Sequence, residues 1–118
     1  MKKEVNAQYE GVNPSVTVAF EFCNLDAAAA KGILENLKFY KEFSWTTIYE
    51  ASPFVPMASV KRSALGFHAQ GKTAMVTIQY EADLVVARAY ALAARDAIEQ
   101  DAEAIISTLE KVFIAFDK

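Results

Sequence analysis

Residues 83–118, DLVVARAYALAARDAIEQDAEAIISTLEKVFIAFDK, decide the reading of this chain. They contain neither Gly nor Pro. Apolar residues run from Leu84, Ala87, Ala91 and Ala94 through Ile98, Ala102 and Ile105 to Leu109, Val112 and Phe116, in steps of three and four. The mean step is about 3.6, the α-helical period, so one long closing helix is expected, with Asp83 as its cap. About 34 residues at 1.5 Å each would reach about 50 Å. A compact domain of this length is only about 35 Å across, so such a helix overhangs its domain, breaks or crosses a second subunit.

The two halves of this helix differ in character. Between Leu84 and Ala94 the stripe is small, but Val85, Val86, Tyr90 and Leu92 place apolar groups on other faces as well. A helix apolar nearly all round is buried on more than one side, which points to a partner there, most simply a two-fold copy of the same chain. The second half is bulkier, with Ile106 and Phe113 widening the stripe, and Asp96, Glu99, Glu103 and Glu110 lie opposite. That half reads as packing on the domain's own sheet.

Upstream, residues 14–24 alternate with period two. Val16, Val18, Phe20 and Phe22 face one way, and Ser15, Thr17, Ala19, Glu21 and Cys23 the other, as in a half-buried strand. Asn24 or Asp26 offers an N-cap for a helix over 27–43, with Ala30, Ile33, Leu34, Leu37 and Tyr40 as its stripe. Residues 44–50 are rich in β-formers. Strands over 58–69 and 73–82 are joined near Gly71, a hairpin signal. The polar residues 1–13, with Gly11 and Asn13-Pro14 at their end, read as a loose N-terminal arm. The order β-α-β-β-β-α over residues 14–118 predicts a single α+β domain: an antiparallel sheet with one short and one long C-terminal helix packed on one face.

Composition narrows the function. The chain has 118 residues, 53% hydrophobic and 23% charged, with a net charge of −3, which favours neither nucleic acid nor a membrane surface. Residues 51–80 carry no acid, whereas the last 38 residues carry twice as many acids as bases, so the two stretches should attract each other. The single thiol, Cys23, excludes an internal disulfide and suits a reducing compartment. The N-terminus lacks the apolar run of a signal peptide, and a cytoplasmic location is expected.

His68 and Cys23 are each single, so an intrachain catalytic triad or a His/Cys zinc site lacks its ligands. No phosphate loop or dinucleotide fingerprint occurs, and no cofactor or metal is expected. The leading expectation is a small non-enzymatic protein–protein interaction protein, homodimeric through its last helix. Its interface candidates are Val85, Val86, Tyr90 and Leu92, with Phe54, Val55 and Met57 of the proline-framed loop 52–57 meeting another protein. Two alternatives stand beside it. One is a nucleic-acid-binding module using Lys61, Arg62, His68 and Lys72 of the basic hairpin. The other is a ligand-binding or catalytic pocket around Tyr40, Trp45, Tyr49 and Tyr80.

Overall fold

Period-two alternation makes the sheet, and its apolar phase decides which face the helices cover. The computed structural model describes residues 1–41, 43, 46–51, 58–84 (Leu84 by its backbone only) and 88–118. Five strands, β1 (Lys2–Gln8), β2 (Ser15–Glu21), β3 (Thr46–Glu50), β4 (Ala58–Gln70) and β5 (Thr73–Leu84), pair antiparallel in the order β1-β2-β5-β4-β3. The described residues also form three helices: α1 (Ala27–Glu35), α2 (Lys38–Lys41) and α3 (Arg88–Phe116). This is the expected α+β architecture, with one strand more than the sequence suggested.

That extra strand is β1. The expected loose arm is instead an edge strand, with Val5 opposite Val18 and Ala7 opposite Val16. Alternation of Val5, Ala7 and Tyr9 with Glu4, Asn6 and Gln8 gives it the same inner phase as β2. The helix expected over 27–43 divides, because Asn36 ends α1, its side-chain Nδ2 donating back to the Gly32 carbonyl at 2.9 Å.

The closing helix starts later than its sequence implied. Leu84 ends β5 opposite Ala58, and Asp83 pairs with Ser59, so Asp83 is a strand residue and not a cap. Helix α3 runs unbroken for 29 residues, about 44 Å. It does not overhang, because the β4–β5 hairpin is equally long and the molecule measures 50 × 24 × 19 Å. A helix of this length therefore needs no second subunit to lie on.

Its buried stripe is Ala94, Ile98, Ala102, Ile105, Ile106, Leu109 and Phe113. Phe113 closes the stripe where Phe116 was expected, and Phe116 is 58% exposed. The Phe113 ring meets Phe20 and Phe22 edge-on, with centroids 5.2 and 5.4 Å away, a geometry favoured by the ring quadrupoles. Val18, Val76, Ile78, Val60 and Leu34 belong to the same buried core.

Two short segments fasten the ends. Gly71, at φ +60°, occupies the first central position of the two-residue β4–β5 turn, where a left-handed backbone is required. That turn docks on the end of β2: the Phe22 amide donates to the Lys72 carbonyl at 2.8 Å, and the Ala27 amide to the Gly71 carbonyl at 3.1 Å. Beyond α3, the Asp117 carboxylate accepts from the consecutive amides of Cys23, Asn24 and Leu25, at 2.9, 2.7 and 2.8 Å.

Candidate functional site

A bulge in β4 decides where the basic residues go. Arg62 pairs with Tyr80 and Ala64 with Gln79, which leaves Ser63 as the extra residue. Strand parity therefore flips at Ser63. Arg62 joins Val60 on the helix-covered face, whereas Lys61 and His68 both lie on the open face. Lys72 sits in the turn and donates to the Cys23 carbonyl at 2.8 Å. The four residues of the expected basic patch are thus divided among two faces and a turn.

Arg62 reaches α3. Its Nε donates to Oδ2 of Asp101 at 3.0 Å and its Nη2 to Oδ1 at 2.6 Å, a bidentate pair. The fully buried Tyr80 adds its hydroxyl to Oδ2 at 2.7 Å. Burial, followed by this hydrogen bond, pushes the Tyr80 phenol far above its ordinary pKa, so it stays neutral. The hydrogen bond to Asp101 likewise raises the Arg62 pKa. This pair realises the attraction expected between the acid-free centre and the acidic C-terminal stretch. Above it lies an open groove of about 520 Å3 between the α1–α2 segment and α3, walled by Leu37, Phe39 and Ile105. Tyr40 and Tyr49 pack half-buried against the core, and Trp45 lies outside the described residues.

A second groove, of about 300 Å3, lies between the inner face of β1 and the flank of α3. Val5, Ala7, Val16, Ala102 and Ile106 make its apolar floor, and Glu99 and Glu103 stand on its rim. Lys3 closes one end by pairing with Glu110. At the other, Tyr9 lies under Arg95, whose guanidinium carbon is 4.3 Å from the ring centroid. Burial, then the Glu99 carboxylate, raises the Tyr9 pKa. A third depression continues past Tyr9 to Leu92 and Arg88. The β1 edge and the α3 flank therefore carry two neighbouring depressions, one on each side of the Tyr9–Arg95 contact.

Of the interface candidates, Tyr90 and Leu92 are exposed, at 36% and 52%. The first turns of α3 are thus unpaired within this chain, not buried on several sides. Val85, Val86, Phe54, Val55 and Met57 lie outside the described residues. Two features of the site escaped sequence reasoning: the β1 edge with Val5, and Asp101 as the hub of a polar cluster. The alternation around Val5 and the acid flanking the apolar stripe at Asp101 were the available signals.

Among the described residues no three His, Cys, Asp or Glu side chains are arranged to hold a metal ion. Among the described residues Cys23 and His68 share no hydrogen bond; the Cys23 sulfur accepts instead from the N-terminal ammonium at 3.4 Å. No helix among the described residues is long and apolar enough to cross a membrane. In comparisons with known proteins, the chain matches no family model, no curated protein and no solved structure. The arrangement offers apolar clefts with charged rims.

Proposed function

We propose that this protein is a small non-enzymatic interaction protein that self-associates and, as a pair, presents a binding surface to another protein. The observation that carries this reading is the β1–α3 cleft, where Val5 is 46% exposed on an apolar floor at the open edge of the sheet. Apolar surface gathered beside unpaired strand edges is what association covers. Leu92 and Tyr90 extend the apolar surface along α3, which keeps that helix within the contact. Sedimentation equilibrium at micromolar concentration tests it. A dimer is expected, and a monomer throughout the range would remove the reading.

One other reading has an observation of its own. The groove above Arg62 falls within the volume range of small-ligand sites, with apolar walls and a charged floor. Ligand binding there predicts chemical-shift changes confined to Leu37, Phe39 and Ile105 when small amphiphiles are titrated in. The nucleic-acid reading loses its patch, since Arg62 is committed to Asp101 and Lys72 to a backbone carbonyl.

A further inference from the structure

The sheet has two edges, and they are built differently. Strand β3 has five residues and a register irregularity between Thr47 and Tyr49, both of which discourage another strand from pairing there. Strand β1 has seven exposed residues and unbroken register from Lys2 to Gln8. Among the described residues no strand lies on its outer side, so a row of backbone donors and acceptors faces away from β2.

We propose that this edge pairs with β1 of a second copy of the chain, antiparallel about a two-fold axis at Val5, to make a continuous ten-stranded sheet. The proposal deepens the self-association reading and rests on it. Val5 is the midpoint of the strand, so this register alone pairs all seven residues. It sets Val5 against Val5 and Lys3 against Ala7 on the inner face. On the outer face it sets Glu4 against Asn6 and Lys2 against Gln8. No like charges face each other. Sliding by two residues, which keeps the faces matched, either brings Glu4 opposite Glu4 or shortens the overlap to residues 4–8.

Charge complementarity supports the same register. Lys3 lies at Glu110 and Tyr9 at Arg95, so β1 and α3 run in opposite directions with nearly equal spans. Six strand steps cover about 20 Å and fifteen helical steps about 22 Å. Ala7 therefore lies level with Gln100, between Glu99 and Glu103, which line the same groove. The Lys3 side chain of a second copy, opposite Ala7 on the inner face, would enter that groove between Glu99 and Glu103, exchanging Glu110 of its own chain for Glu103. Among the described residues, Glu103 has no ion-pair partner within its own chain. The pairing would also cover the exposed Val5 twice over.

A two-fold axis at Val5 brings each Val5 Cα within about 5.5 Å of its mate, inside the span of a disulfide. The test uses the full chain with Cys23→Ser, carrying one of Val5→Cys, Ala7→Cys or Leu92→Cys, under mild oxidation after sedimentation has fixed the oligomeric state. Val5→Cys should convert most of the chain to covalent dimer, with Ala7→Cys and Leu92→Cys left largely monomeric on denaturing gels. A dimer in sedimentation that cross-links at Leu92 but not at Val5 overturns the strand pairing and leaves self-association standing. A monomer overturns both. Amide exchange on the unmodified chain gives a second readout: the outward-facing amides of β1 should gain protection as concentration rises. Equal exchange in a dilute, monomeric sample and a concentrated, dimeric one contradicts the pairing.

Discussion

Arg62 and Asp101 hold each other through two parallel hydrogen bonds across the sheet–helix interface, with side chains only 20% and 13% exposed. The Tyr80 hydroxyl completes the cluster, so a strand residue, its cross-strand neighbour and a helix carboxylate share one charge. Removing one member of a largely buried pair leaves the other uncompensated. Asp101→Asn should cost about 3 kcal/mol of folding stability. Tyr80→Phe, which keeps the ring and loses one bond to a charged acceptor, should cost about 1.5 kcal/mol. Urea denaturation reads both, and an unchanged midpoint for Asp101→Asn would show that the pair contributes nothing net.

Asp117 makes the chain acid-sensitive in a defined window. Its three backbone hydrogen bonds, from Cys23 first, lower its pKa from 3.8 to about 2. A depressed carboxylate pKa stabilises the fold above the unfolded value, and that stabilisation is lost as pH falls through the folded one. The contribution is therefore complete at neutral pH and disappears between about pH 4 and pH 2. Asp117→Asn should lower the melting temperature at pH 7, with the gap to the unmodified chain closing by pH 2. A gap that stays constant with pH would assign the effect to something other than ionisation.

Phe113 is the bulky residue that joins α3 to the strand β2 aromatics. It is fully buried, so Phe113→Ala leaves a cavity among Phe20, Phe22 and Leu109 and should cost about 4 kcal/mol. Phe116→Ala, on the exposed side of the same turn, should change stability by less than about 0.5 kcal/mol. Thermal unfolding of the two variants side by side checks which phenylalanine closes the stripe.

Gly71 is placed by backbone conformation alone, since a Cβ there would meet nothing within 4 Å. Its φ of +60° disfavours any L side chain, so Gly71→Ala should cost about 1 kcal/mol through the turn and its docking on Phe22 and Ala27. Hydrogen exchange at those two amides should speed up correspondingly. A neutral substitution would mean the turn relaxes without penalty.

Much of the fold was legible because apolar phase alone sets it: Val16 to Phe22 as a strand and Ala94 to Leu109 as the buried stripe both came from period. What stayed hidden depends on pairing. Strand β1 exists because β2 offers it an edge, and seven exposed residues carry little apolar signal by themselves. The start of α3 was misplaced because Leu84, which is apolar, continues the helical stripe equally well as the last pair of β5. The basic patch dissolved for a third reason: one extra residue at Ser63 inverts strand parity, and no composition rule marks a bulge. Val5 was invisible as a site until β1 was placed beside α3.

Sedimentation equilibrium across the micromolar range, repeated with Val5→Lys, most directly tests self-association along β1. A charge at the middle of the paired edge should abolish association without unfolding the chain, because Val5 is not part of the buried core. The expected result is twice the chain mass for the unmodified protein and the single-chain mass for Val5→Lys, with the same circular dichroism. An unmodified protein that stays monomeric, or a Val5→Lys variant that dimerises equally well, contradicts it.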